Sequence, residues 1–194
     1  NRMPLYVGAL FISKLLGYKR VLDLEDGETK LGIIPTLTKY IYDNYCNQGA
    51  ILACSTLDVM TSCRPVHLYY GVNYGSFSNK AWTAKKIRFL FSGTITIETG
   101  AQLLIETIET LRYQSLSWTN AIEFIVTGKG DLIDRFTELQ LEHKSPSVQV
   151  LGRLSNNEYS KVIYDTHVGL ALKPNGGLYA NTTFPSKVVE FASN

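Results

Sequence analysis

Cysteine is scarce and scattered in this chain: Cys46, Cys54 and Cys63 are the only three among 194 residues. No two of them stand in C-x-x-C spacing. An odd, unpatterned set supports neither a disulfide framework nor a zinc site, so we read thiols in a reducing compartment and a cytoplasmic chain. An excess of one charge is also missing, because 19 Lys and Arg oppose 17 Asp and Glu. Without a basic run on one face there is no electrostatic footprint for nucleic acid, and no such partner is expected. Long hydrophobic runs are absent as well. The uncharged stretch Met3 to Ser13 falls short of the roughly 20 apolar residues that span a bilayer, and the opening lacks a signal-peptide layout. His67, His143 and His167 share no ligand spacing, so no metal site is expected.

What remains is 45% hydrophobic and 19% charged, enough apolar surface to exclude a disordered tail or a collagen-like repeat. Pro4 to Leu16 fits a helix that stops at Gly17. Arg20 to Gly27 reads as a short strand followed by an acidic turn carrying Asp23, Glu25 and Asp26, which could reach into an interdomain cleft, although a solvated acidic turn is the plainer reading. Leu37, Tyr40 and Ile41 recur at helical spacing within Thr36 to Cys46. Ala50 to Ser55 is an unbroken apolar run of the kind that forms a strand covered on both faces. Val66 to Tyr70 is another strand, and Gly71 to Asn79 is a linker of turn-forming residues, with a domain boundary near Asn79 to Lys85.

From Lys86 onward the pattern is regular. Strands are expected at Ile87–Phe91, Ile122–Val126, Val148–Gly152 and Val168–Leu172. Helices alternate with them at Ala101–Tyr113, at Asp131–Lys144, after Ser155, and from Pro185 to the end. Ser155-x-x-Glu158 is a capping box. This alternation predicts an α/β fold with doubly wound parallel sheets. Ligands in such sheets lie outside the carboxyl ends of the strands, at the point where strand order reverses.

The loops at that end are therefore the candidate sites. Gly93 to Gly100 has hydroxyls and backbone amides suited to a diphosphate, although an ordinary strand-to-helix turn accounts for the same residues. Gly128-Lys129-Gly130 is a lone G-x-G without the acidic partner of a dinucleotide site, which argues against an NAD enzyme. Pro185 suits a first helical turn, and behind it the amides of Ser186 and Lys187 and the Lys187 ammonium would face an anion. Glu190 follows one turn later on the same face, where a carboxylate can accept from both hydroxyls of a ribose. A solvated Lys187–Glu190 pair is the plainer alternative. His167, just before the fourth strand, reads as a structural turn residue.

The ordered set Ser92-Gly93-Thr94, Phe124 to Gly130, Val150 to Glu158, Asp165 to Leu170 and Phe184-Pro185-Ser186-Lys187-x-x-Glu190 resembles the C-terminal domain of family-4, GT-B-fold retaining glycosyltransferases. The earlier residues resemble the second half of the N-terminal domain, with Tyr70-Gly71-Val72-Asn73 similar to its interdomain segment. The resemblance implies an internal piece of a longer enzyme. Residues 1–79 would be the C-terminal half of an acceptor-side Rossmann-like domain, and residues 80–194 a nucleotide-sugar-binding Rossmann-like domain, truncated at its end.

It further implies transfer of a sugar from a nucleotide-diphosphate sugar to a glycan or lipid-linked acceptor, as in polysaccharide biosynthesis. Transfer would proceed with retention and without a metal or separate cofactor. Any peripheral membrane association would come through the missing N-terminal part. Carried over by position, Glu190 would bind the nucleotide ribose. Ser186 and Lys187 would sit near the diphosphate, Gly93 would allow close backbone approach to it, and Gly128 and Gly152 would shape the base and ribose pocket. Three positions depart from the family. Thr94 and Thr99 stand where an Arg and a Lys are usual, with Lys129 or Arg153 as substitutes. Thr182 stands where a Glu usually contacts the donor sugar, and its hydroxyl would serve instead. Those departures leave two alternatives, a non-catalytic nucleotide-sugar-binding subunit and a GT-B-like nucleotide-sugar epimerase.

Overall fold

A computed structural model describes residues 2–25, 32–68, 85–174 and 186–192. These form two compact units: residues 2–68, and residues 85–174 together with 186–192. The boundary expected near residue 79, the Tyr70–Asn73 segment and Thr182 lie outside the described residues.

The first unit is built on a three-stranded parallel sheet, β1 (Leu22–Leu24), β2 (Ala50–Leu52) and β3 (Val66–Leu68), in that order. Helices α1 (Val7–Leu15) and α2 (Ile33–Tyr45) accompany it. Leu22, Leu24, Leu52 and Leu57 fill the core with Tyr42, Cys46 and Cys63. Asp23, expected in the acidic turn, is instead the exposed middle residue of β1. The flanking leucines supply the buried face and the period of two turns Asp23 outward. The run from Ala50 yields only a three-residue strand, after which Ser55–Met60 wind into a 3-10 helix. All three cysteines are free, with Cys46 and Cys63 buried. Burial raises the Cys46 thiol to about 11.

The second unit holds a four-stranded sheet, β4 (Ile87–Thr94), β5 (Ile122–Lys129), β6 (Ser147–Gly152) and β7 (Val168–Leu170). All its pairings are parallel and the order is β6-β5-β4-β7. The chain steps outward from β4 to β6, then crosses back to set β7 on the other side of β4. Strand order thus reverses between β4 and β7. Helices α3 (Ala101–Gln114) and α4 (Ile133–Leu141) bury Leu104, Ile108, Phe136 and Leu139 against Phe91, Phe124 and Val126. On the opposite face, α5 (Asn156–Tyr164) and α6 (Ser186–Ala192) bring Ile163, Tyr159 and Phe191 against Leu90 and Ile125. Successive strand residues alternate between these two layers, which makes the sheet doubly wound.

Several boundaries differ from the sequence expectation. β4 and β5 continue through Gly93–Gly128 and Thr94–Lys129, so these residues belong to strands and not to loops. Gly128 has φ +134, and a Cβ on it would overlap the Gly93 carbonyl. Glycine there lets the two strands close up at their ends. α4 is shorter than Asp131–Lys144: the Leu132 amide is held by the Ile95 carbonyl, and His143 takes a left-handed φ of 51 beyond its last turn. At α5 the capping box forms as read, with Ser155 N donating to Glu158 Oε2 at 2.8 Å and Glu158 N to Ser155 Oγ at 3.4 Å.

Candidate functional site

The carboxyl ends of β4 and β7, where strand order reverses, are where an open α/β sheet has its ligand crevice. Gly93 and Thr94 end β4. Helix α6 returns along the sheet, and the Phe191 ring lies so close to β7 that a Cβ on Gly169 would overlap it. That contact seats the helix. Lys187 lies one turn before Phe191 on the same side, and its stem crosses the end of β4. A Cβ on Gly93 would stand 3.4 Å from Lys187 Cε, at a φ of +117 that favours glycine.

The Lys187 ammonium is held from two directions. It donates to Glu190 Oε2 at 2.5 Å and to the Tyr159 hydroxyl at 3.2 Å. The Tyr159 hydroxyl in turn lies 2.8 Å from Ser92 Oγ, and the ammonium stands 5.3 Å from the centroid of the Tyr159 ring. Burial works against the charge on Lys187, but the hydrogen bonds to Glu190 and Tyr159 outweigh it and raise its pKa above the usual lysine value. The Lys187 and Glu190 side chains remain 33% and 30% exposed. A charged, half-buried ammonium at the mouth of a parallel sheet can neutralise an anion there.

The segment after β4 uses many of its own donors. The single Thr99 hydroxyl proton is shared between the Thr94 carbonyl at 2.6 Å and that of Thr96 at 2.9 Å, while Thr96 N donates back to Thr99 Oγ1 at 3.1 Å. The amides of Ile95, Gly100 and Ala101 go to the carbonyls of Lys129, Ile97 and Thr96. The Glu98 carboxyl is held below its usual pKa by its own backbone amide and by Thr96. This segment is a self-capped 3-10 turn, Ile97–Thr99, leading into α3, which fits the plainer of the two sequence readings.

The other sequence-derived residues line the same edge of the sheet. Exposed Lys129 stands beside exposed Thr94 in register, and Gly128 beside Gly93. Gly152 ends β6 at φ +64 with open space where a Cβ would be, and the Thr127 hydroxyl donates to its carbonyl at 2.7 Å. Arg153 follows it, exposed, and Ser186 is the exposed first residue of α6. The fold brings Gly93, Lys187 and Glu190 together. Two residues that sequence reasoning did not single out, Ser92 and Tyr159, join them. The one available signal was Tyr159's position four residues after the Ser155 cap, on the face that also carries Ile163. His167 is structural: its Nδ1 accepts from the Arg88 amide at 3.0 Å, and its own amide returns to the Arg88 carbonyl. Among the described residues no three His, Cys, Asp or Glu side chains converge on a point that could hold a metal ion.

No protein-family model matches the chain, and none of the curated proteins matches it. Solved structures do. A crystal structure of TarM superposes with a TM-score of 0.58 at 18% identity, over 81% of this chain and 32% of that one. A second, of a point variant of S. aureus TarM in complex with fondaparinux, alpha-GlcNAc-glycerol and UDP, gives a TM-score of 0.53 at 16% identity, over 84% and 34%. The chain thus spans about a third of the length of these neighbours. At such identity they show the fold: mixed α/β with parallel sheets, of the GT-B type.

Proposed function

We propose that this chain carries the donor-binding part of a glycosyltransferase that moves a sugar from a nucleotide-diphosphate sugar to a glycan or lipid-linked acceptor. The observation that carries the reading is the Lys187 ammonium, held over Gly93 at the end of the strand beside the order reversal. The shared fold supports it, since TarM is a glycosyltransferase and one of its structures holds UDP together with sugar ligands.

The chemistry follows from charge. When the anomeric bond breaks, its electron pair leaves with the diphosphate and the sugar becomes positive. An ammonium fixed where that negative charge grows lowers the barrier without reorganising at the moment of reaction. Lys187 would be that group. Glu190, which shares the ammonium in the ligand-free chain, would accept from the nucleotide ribose. Gly93 would let the backbone approach the diphosphate, Gly128 and Gly152 would shape the base and ribose pocket, and Ser186, Thr94, Lys129 and Arg153 would stand at the rim; by the resemblance, the Thr182 hydroxyl would serve where a Glu usually contacts the donor sugar. Transfer with retention and without a metal, as in family 4, belongs to the same proposal and rests on the resemblance of the Phe184 to Glu190 segment.

Thermal-shift screening of nucleotide sugars and UDP against the full-length protein tests the reading, because a specific ligand raises the melting temperature by mass action. Glu190→Ala should weaken donor binding by roughly 1.5–3 kcal/mol, as for a lost charge-assisted hydrogen bond. Lys187→Ala should lower turnover more than donor binding. A second reading, a non-catalytic nucleotide-sugar-binding subunit, is favoured by the threonine pair: the neutral hydroxyls of Thr94 and Thr99 supply no cation, and that of Thr99 is taken up within its own turn. Donor binding with neither transfer nor hydrolysis would select that reading. No nucleotide binding at all would remove both.

A further inference from the structure

We propose that Tyr159 is a positioning residue that holds Lys187 over the end of β4. The proposal rests on the donor-site reading of Lys187 and goes beyond it by naming what fixes the ammonium. The polarity of the contact is settled by the groups themselves. An ammonium has donors and no acceptor, so Lys187 donates to the Tyr159 oxygen at 3.2 Å. The same hydroxyl is bonded to Ser92 Oγ at 2.8 Å, in a contact that either hydroxyl can donate. The result is a hydrogen-bonded relay from α6 through α5 to the last inward-facing residue of β4.

Glu190 sits three residues along the same helix, so its ion pair with Lys187 lies within α6. Tyr159 belongs to another helix and its hydroxyl is tied to the sheet, which gives the ammonium a fixed point outside α6. An unheld lysine stem has many rotamers to lose on binding an anion. Tyr159 removes that freedom before the ligand arrives. Among the described residues the ammonium donates to Glu190 and Tyr159, which leaves one of its three N–H groups to meet an incoming phosphoryl oxygen.

The test uses the full-length protein with UDP as probe, since UDP carries the negative charge that bond cleavage releases. Tyr159→Phe keeps the ring and removes the relay, and Ser92→Ala removes its far end. Tyr159→Phe should raise the UDP Kd about 5–10-fold, and Ser92→Ala should raise it in the same direction. In a Lys187→Ala background Tyr159→Phe should change the Kd less than twofold, because its effect passes through the lysine. An equal loss in both backgrounds would overturn the proposal, since Tyr159 would then act by itself or through the fold. A second readout needs no nucleotide: NMR relaxation of the Lys187 ε-methylene should show a restricted stem in the wild type and a freer one in Tyr159→Phe. A stem as mobile as that of exposed Lys144 in the wild type would overturn the positioning role even if UDP binds. Absence of UDP binding with a restricted stem would instead count against the donor-site reading alone.

Discussion

At Lys187, burial and charge oppose each other in one side chain, and charge prevails because Glu190 and Tyr159 both accept from it. The folded pKa lies above the usual lysine value of about 10.4, so the ammonium's contribution is complete below that value and is lost only as pH rises through the raised pKa. The ratio of UDP affinities between wild type and Lys187→Ala should therefore stay constant from about pH 7.5 to pH 10 and fall above it. Titration calorimetry across that range checks this, and a ratio already falling by about pH 9 would contradict it. The i,i+3 spacing of Lys187 and Glu190 was legible in the sequence. Their partners were not, because Tyr159 lies 28 residues before Lys187 and Ser92 a further 67 before Tyr159. Gly128 shows the opposite case. A pocket-shaping role was expected, while the contact that demands glycine is with the Gly93 carbonyl of the neighbouring strand.

Among the elements, α6 is held by packing and not by its own length. It is seven residues long, too short to hold its shape by helix propensity. Its seat is the Phe191 ring on Gly169. Gly169→Ala would put a methyl group into that ring, so α6 must shift, at about 1–3 kcal/mol for overpacking. Lys187 would shift with it. UDP affinity should fall in Gly169→Ala about as far as in Lys187→Ala, while the sheet and the rest of the second unit stay folded by circular dichroism. Unchanged affinity in Gly169→Ala would mean that α6 is seated by something else. Element types were legible here because the apolar period changes from two to 3.6 between strands and helices, and the α5 start was legible to the residue because Ser155 and Glu158 cap locally. Strand ends were less so. β4 and β5 run on through Gly93 and Gly128 because Gly128, lacking a Cβ, admits the Gly93 carbonyl of the neighbouring strand, a fact about two segments at once.

On the scale of the whole molecule, each unit has its own core, and the first is tied by a charge network. Buried Arg2 donates to Asp43 Oδ1 at 2.6 Å and to the Met60 carbonyl at 2.8 Å. Asp43 also accepts from Thr61, from the Ser62 amide and from Lys39. Burial acts to raise the Asp43 pKa, yet the Ser62 amide, Arg2, Thr61 and Lys39 outweigh it and hold the carboxyl below its usual value. A depressed carboxylate contributes stability above the unfolded pKa, about 3.9, and loses it as pH falls through the folded value. The first unit should therefore lose stability below about pH 4, and Asp43→Asn should lessen that acid sensitivity at a cost in stability at pH 7. Thermal melts at pH 7 and pH 3, followed by fluorescence and by proteolysis of residues 2–68, would check it. A variant with the same acid response as the wild type would show that other groups govern it.

The sequence by itself determined the parallel α/β class, because apolar strands alternating with amphipathic helices can bury both sheet faces in few other ways. It also determined which residues could carry charge at the start of the last helix. It could not determine that β7 returns to the far side of β4, since strand order is decided by packing between distant segments. Only the tertiary structure decided that Phe191 rests on Gly169, that Lys187 crosses Gly93, and that Tyr159 links that lysine to Ser92. Each of these is a contact across a gap in sequence that no local period records.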